Sequence, residues 1–570
     1  MKKLTALILS VLMVFLTSAC SADKEPEHTE PTVSTTDEPT VNENDSTEII
    51  DAAALPSKVD LRNYEGQNYV TPVKRQKFGD CWTFSLAASA EIAYLFANDM
   101  GVPAGELNDQ VNFSEKYIAW YLYHGITGDD VVKGRVRASQ VGEGFDPSAA
   151  ESSDERAVYS FGGEFVHYAN LFGSGFGPVD ESDSVNGEYP FAYDNASYGW
   201  QLPLNAEYRC APSSASLLSS LVLPCPAEQD ADGNYVFSEE GLIAIKSELY
   251  QGHGVSIAFC TSTPGYNYEH RAAYYNGDRA ADHAVTVVGY DDNYPKEYFS
   301  RTDTEGNVLE ESIPPEDGAF IIKNSWGIVD EEEDGYFYLS YYDHSLYSPM
   351  SYVFDSRASV KHAELNYDQY DLMMTRWYGN TDYTAETKMA NVFDAEEDES
   401  LCRIAYRTSL PDTEVTYEIY KDITDGDPAS GTLLETGVSR HLYAGFFRID
   451  LHEEYPLKKG EKYSVVLTMK HTDGDDGRTV YSEVFPYSTA FSSGLSVRGI
   501  VNEGESYLYT DGKWSDMTAA KDSLIERAYQ QCVAELGSRK TMTPIRLDSK
   551  ATFIIDNYPI KAILSPSSGR

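Results

Sequence analysis

The stretch Pro72-Val73-Lys74-Arg75-Gln76-Lys77-Phe78-Gly79-Asp80-Cys81-Trp82-Thr83-Phe84-Ser85 holds an amide side chain, a turn residue and a cysteine at the head of an apolar run. The run continues through Leu86, Ala87, Ala90, Ile92, Ala93 and Leu95 and predicts a helix that opens at Cys81. A cysteine in the first helical turn lies at the positive end of the macrodipole, which favours thiolate over thiol. The thiolate is the nucleophile, so the position suits acyl transfer. A buried structural cysteine beside an aromatic is the commoner fate of this residue type. A nucleophile needs a base within reach, and the base needs a group that orients it.

Two later stretches supply candidates. In Asp282-His283-Ala284-Val285-Thr286-Val287-Val288-Gly289-Tyr290, His283 opens an apolar strand directly after an acid; none of the other ten histidines does so. Ile322-Lys323-Asn324-Ser325-Trp326-Gly327 follows, closed by Gly335-Tyr336-Phe337-Tyr338-Leu339. Gln…Cys-Trp-x-Phe-Ser, then Asp-His-Ala-Val, then Lys-Asn-Ser-Trp-Gly, in that order, resembles the papain-like cysteine peptidases. Any one of the three is weak; three in order, each with the fitting residue type, are specific.

The resemblance implies Cys81 as nucleophile, His283 as base and Asn324 as the group that orients the imidazole, with Trp326 shielding that bond from water. It implies an oxyanion hole made by the Gln76 side-chain amide and the Cys81 backbone N–H. It places Gly162 and Gly163 at the edge of the substrate cleft; an ordinary turn explains a Gly pair equally well. In a Cys-His pair the resting state is thiolate–imidazolium, so an amide suffices as orienter. The reaction is amide hydrolysis through a thioester and needs no cofactor or metal. Two departures stand out. Four residues separate Gln76 from Cys81 where the family usually has five, and Lys77 follows Gln76 where Gly is usual. Either Phe78-Gly79 turns more tightly and returns Gln76 to the hole, or the hole is damaged. The backbone freedom of Gly79 favours the first.

The elements around these residues form a chain too long for one core, at 570 residues. A net charge of −47 argues against nucleic acid or an anionic membrane surface as partner. Lys2 and Lys3, an apolar run from Leu4 to Leu16, and Thr17-Ser18-Ala19-Cys20 form a secretory signal that resembles a bacterial lipobox. This implies cleavage after residue 19 and a diacylglycerol anchor on Cys20; simple secretion is the plainer alternative. Residues 20–54 are acidic and poor in large apolar side chains, which predicts a disordered linker. Leu55-Pro56-Ser57-Lys58-Val59-Asp60-Leu61-Arg62 resembles the start of a mature papain-like domain.

Ser114 is placed to cap a helix ahead of Tyr117-Ile118-Ala119-Trp120-Tyr121. A helical pattern runs through Phe165, Tyr168 and Leu171. Strands are predicted at 255–259, 284–290, 319–323 and 336–342. His283 follows Cys81 by 202 positions (283 minus 81), against roughly 130–150 in the papain pattern. Extra length falls at about 195–235, before His283, and at 291–315, between His283 and Asn324; both are polar and read as surface excursions. The expected fold is an α+β papain-like domain over 55–360, a helical lobe facing a β-barrel lobe. Over 361–570, strand segments at 414–420, 446–451, 462–469 and 506–509, with one helix near 519–536, predict a β-sandwich. Tyr455-Pro456-Leu457-Lys458-Lys459-Gly460-Glu461-Lys462-Tyr463 resembles the lectin-like domain that follows some bacterial peptidase domains; that term names a fold, not sugar binding. Since no catalytic motif lies beyond 360, cleavage of short peptides is expected not to need that half.

Cysteines 20, 81, 210, 225, 260, 402 and 532 leave five after lipidation and catalysis, so at least one is a free thiol. Cys210 and Cys225 flank one short loop and are the expected disulfide. The acidic turns Glu331-Glu332-Glu333-Asp334 and Asp473-Gly474-Asp475-Asp476-Gly477 lack EF-hand spacing and read as solvated. Partners are then protein or peptide substrates, the membrane through a lipid anchor, and a cell-wall or carbohydrate contact by the second domain. The alternative function is a surface adhesion protein that keeps a papain-like scaffold without turnover; the complete Cys81, His283, Asn324 and Gln76 set argues against it. Cell-wall peptide hydrolysis shares the chemistry and differs only in substrate.

Overall fold

A computed structural model describes residues 40–41 and 50–566, apart from 132–137, 147–154, 161, 164, 166–170, 186, 194–203, 206–207, 210, 212, 214, 231–233, 262–264, 329–333, 356–362, 366–377, 425, 473–476, 489–495 and 537–553. The predicted helix is Cys81–Ala97, and every side chain from Trp82 to Ala93 is buried. A helix buried all round is a central core element. It packs against a second helix, Glu115–Leu122, whose cap Ser114 accepts from the Tyr117 N–H at 3.0 Å. The segment through Phe165, Tyr168 and Leu171 has residues 166–170 outside the described part.

Opposite the helices stand strands Val255–Phe259, His283–Asp291, Ala319–Lys323 and Tyr336–Ser340, antiparallel neighbours in one sheet. The apolar runs of the first three are buried on both faces, which explains continuous Val/Ile patterning rather than alternation. Lys58–Asp60 adds to the edge of His283–Asp291, tying the start of the domain to the strand that carries the histidine.

The sheet does not end with this lobe. Ser216–Val222 pairs antiparallel with Tyr347–Asp355 on one side and with Ala444–Leu457 on the other. Residues 195–235, expected as a surface excursion, therefore contain the strand that joins the two halves. Leu217 and Leu221 are buried, and Ser220 is buried between its partners. The sheet runs on through Glu399–Thr408 and Lys561–Pro566. Alternation there points Ala405 and Phe446 toward the helical lobe and Tyr406 and Phe447 toward the sandwich core. The facing sheet holds Thr432–His441, Thr413–Lys421, Lys462–Thr472, Lys388–Asp394 and Ser506–Thr510. Met517–Leu536 is the predicted helix.

Several expectations need correcting. Within 20–54, expected to lack structure, Thr40–Val41 pairs in parallel with Gly437 and Val438, and Ala52–Ala54 forms a 3-10 turn. Two β-branched-rich residues beside an open strand edge explain the first. Cys225 is a free thiol whose Sγ donates to the Leu346 carbonyl at 3.2 Å, so the Cys210–Cys225 bridge is not formed. Cys210, the leader with Cys20, and the acidic residues 331–333 and 473–476 lie outside the described residues.

Candidate active site

Cys81 is the first residue of its helix and lies where the helix meets the His283 strand. The Ala284 backbone N–H donates to Cys81 Sγ at 3.4 Å. Three polar links hold the helix to the sheet behind it. Ser85 Oγ donates to the Val285 carbonyl at 2.7 Å, Thr286 Oγ1 donates to the Ser85 carbonyl at 3.0 Å, and Ser89 and Ser256 hydroxyls pair at 2.9 Å.

His283 is buried, its Nε2 is 2.8 Å from Asn324 Oδ1, and Trp326 stacks on the ring at 4.6 Å between centroids. Asn324 Oδ1 also accepts from the Ser325 N–H at 2.8 Å, which fixes that end of the amide as oxygen. An oxygen only accepts, so Nε2 carries the proton and a neutral ring keeps the Nδ1 lone pair for another hydrogen. Trp326 is itself 51% exposed, so it roofs the imidazole rather than filling a core.

Burial pushes the Cys81 thiol up, countered by the Ala284 N–H, and pushes the His283 imidazole down, countered by Asn324. Burial thus favours the neutral pair. The helix N-terminus pulls toward thiolate, and proton transfer within the pair creates no net charge.

The short loop before Cys81 holds Gln76 by three bonds. Its backbone N–H donates to the Ser325 carbonyl at 2.7 Å, Nε2 donates to the Phe78 carbonyl at 2.8 Å, and Oε1 accepts from Ser325 Oγ at 2.5 Å. Gly79 does not use the left-handed region, so hydrogen bonds rather than glycine freedom make the turn tight. One Nε2 N–H is spent on Phe78, and a primary amide has two. Gln76→Ala is expected to lower kcat by ~10²–10³-fold with little change in KM, the cost of one oxyanion donor. Steady-state kinetics check it; a variant as fast as wild type would remove Gln76 from the hole.

Gly163 lies flat on Trp82: a Cβ there would meet the indole at 2.7 Å. Gly162 has a positive φ of 75°, faces open space, and its carbonyl accepts from the Tyr123 hydroxyl at 2.5 Å.

Sequence reasoning missed the charged cluster behind the site. Glu91, fully buried on the Cys81 helix, accepts from Lys74 Nζ at 2.9 Å, Thr71 Oγ1 at 2.5 Å and the Phe113 N–H at 2.8 Å. Thr71 Oγ1 in turn accepts from Lys323, the neighbour of Asn324, at 2.9 Å. Glu115 also pairs with Lys74, at 2.7 Å. The cluster links the helix that carries the thiol to the strand that ends just before Asn324. Its signal was present: Glu91 is the one charged residue in an otherwise apolar and small-residue helix.

Comparison with known proteins places these parts. The description "Papain family cysteine protease" matches residues 224–353, which include His283 and Asn324 and begin after Cys81. "Lectin like domain" matches residues 367–529. No curated protein sequence matches the chain. Among solved structures, the cysteine protease and lectin-like domains of Cwp84, a surface layer associated protein of Clostridium difficile, align with TM-score 0.59 at 18% identity, covering 93% of each chain. A clostridial Cwp84 after propeptide cleavage aligns with TM-score 0.58 at 18% identity, over 90% of this chain and 100% of that one. At that identity the likeness is one of fold, and it spans both halves.

Proposed function

This chain carries a papain-family cysteine protease domain followed by a lectin-like domain, and from that premise we propose that it is an exported cysteine endopeptidase working through Cys81, His283 and Asn324. The peptidase domain spans about 55–360 and the lectin-like domain about 361–570. The observation that carries the reading is the His283–Asn324 bond at 2.8 Å beside a thiol that the Ala284 N–H touches at the head of a buried helix. His283 takes the thiol proton as sulfur attacks the scissile carbonyl and an S–C bond forms. Gln76 Nε2–H and the Cys81 N–H stabilise the oxyanion. Collapse breaks the C–N bond, His283 returns the proton to the leaving amine, and water hydrolyses the thioester with His283 again as base. Gly162 and Gly163 offer backbone to an extended peptide, and Trp326 borders the cleft. Purified residues 55–570 should cleave members of a diverse peptide library, with the Cys81→Ala variant as the blank; no cleavage of any member would favour the adhesion reading.

Location follows from the sequence at Cys20, supported by a structural neighbour described as surface layer associated. Lipid on Cys20 holds the enzyme at the outer face of a bacterial cytoplasmic membrane, and the lectin-like domain contacts cell wall or carbohydrate. Cys20→Ser should release the protein to the medium. Wild type found fully released and without lipid by mass spectrometry would rule the anchor out.

A further inference from the structure

Asp80, the residue before Cys81, is fully buried. It occupies the N-cap position of the Cys81 helix, where a carboxylate ordinarily accepts from the first free N–H groups, yet its side chain makes no capping bond. Oδ2 instead accepts from the Tyr193 hydroxyl at 3.0 Å. Oδ1 has no partner among the described residues, and no cation among them forms an ion pair with Asp80. The Tyr193 oxygen also accepts from the Lys77 backbone N–H at 2.9 Å, so one phenol joins the helix cap to the residue after Gln76. Tyr193 is held edge-on against Phe84 of the same helix at 5.2 Å.

Burying a carboxylate with no counter-charge in contact is costly and contributes little to folding. Its place gives it another effect. Asp80 and Cys81 share one helix N-terminus, and two anions there compete for the same partial positive charge. We propose that Asp80 is a positioning residue for the Gln76 loop whose charge also sets the pH at which the Cys81 thiol gives up its proton. This rests on Cys81 being the nucleophile. Burial pushes the Asp80 carboxyl up to about 6, against which Tyr193 and the Asp80 and Phe78 backbone groups work, and the Asp80 charge is among the causes that raise the Cys81 thiol. Tyr159 and Tyr193 feel the Asp80 charge, and Glu115 also acts on Tyr193. Lys77 Nζ stands 6.0 Å from the Tyr193 ring centroid. On the strand side His283 precedes Ala284, whose N–H donates to Cys81 Sγ, and Asp282 acts on the His283 ring. None of these supplies Asp80 with a counter-charge in contact.

The sign follows. Where Asp80 is ionised, a neighbouring thiolate is disfavoured, so the acid limb of thiolate formation lies higher than the Cys-His pair alone would set it. Removing the charge moves that limb down.

The test is the pH profile of Cys81 alkylation by iodoacetamide, read at Cys81 by mass spectrometry, beside the pH profile of kcat/KM on a cleaved peptide. Asp80→Asn should move the acid limb of both to lower pH by about 1 unit, while Asp80→Glu, which keeps the charge, should leave the limb near wild type. Tyr193→Phe, which removes the donor but keeps the carboxyl, should lower kcat at every pH through the loop. A purely structural Asp80 would give lower rates across the whole range with an unmoved limb, and that result overturns the proposal. If Asp80→Asn fails to fold, Asp80→Ser reports the same charge removal. Peptidase activity persisting in Cys81→Ala would instead overturn the underlying reading, which alkylation profiles leave untouched.

Discussion

Cys81→Ala is expected to reduce kcat/KM for peptide cleavage by about 10⁴–10⁶-fold, with unchanged secondary structure and melting temperature. Alanine removes the one atom that forms the bond to the substrate carbonyl, and nothing else at the helix start replaces it. The fold should not notice. Cys81 Sγ accepts one long contact from the Ala284 N–H, whereas the helix is held by its buried face and by Ser85, Ser89 and Glu91. His283→Ala should cost a similar factor, because an unassisted buried thiol is pushed away from thiolate by burial. Asn324→Ala should cost less, since the amide only orients the ring. A Cys81→Ala, His283→Ala double variant should be no slower than either single one, because the two act as a unit. Measurement is by active-site-normalised turnover on one peptide, with circular dichroism as the control for folding. Turnover within tenfold of wild type in Cys81→Ala would place the nucleophile elsewhere.

The parts of this site that could be read in the sequence are those whose chemistry is local. A thiol at the start of an apolar run predicts the helix, and the helix begins at Cys81 as expected. Ser114 ahead of an apolar face predicts its cap, and it caps. Runs of β-formers bounded by Gly or Asp predict the strands; 255–259 and 319–323 are met as read, 336–342 ends at Ser340, and 446–451 is the middle of the 14-residue Ala444–Leu457. What could not be read depends on distant partners. Ser216–Val222 contains three serines and looked like an exposed loop. Ser216 and Ser220 are buried because Tyr347–Asp355 and Ala444–Leu457 flank the strand, and no local pattern reports partners more than a hundred positions away. Asp80 is similar: its burial depends on Tyr193, 113 positions later. The loop that holds Gln76 was read as depending on Gly79, yet Ser325 and the Phe78 carbonyl hold it.

Removing residues 361–570 is expected to destroy the peptidase half, not merely trim it. The absence of catalytic motifs beyond 360 suggested the opposite, but a sheet strand needs partners whether or not they carry chemistry. Without Ala444–Leu457, Ser216–Val222 becomes an open edge of seven residues next to Tyr347–Asp355, which in turn pairs with the strand beside His283. An exposed apolar edge of that kind pairs with other chains. The helical lobe loses a wall as well. Phe446 and Ile563 are buried in the same cluster as Trp82, Phe172, Leu217 and Phe354, and the Arg448 guanidinium donates to the Phe172 carbonyl at 3.4 Å. Gly445 shows how close the halves come, since a Cβ there would fall on the Ser220 carbonyl. A 55–360 fragment should therefore be recovered aggregated or unfolded, and inactive. A single substitution separates this from a trivial truncation artefact. Phe446→Ala in the full chain should lower unfolding stability by about 3–5 kcal/mol, the cost of emptying a buried aromatic site. It should also lower the temperature at which peptidase activity is lost, although Phe446 lies far from Cys81 in sequence. Thermal inactivation followed by peptide cleavage, beside denaturant unfolding of the same variant, measures both. A soluble 55–360 fragment that cleaves short peptides at full-chain rates would show that the shared sheet joins two halves able to stand alone.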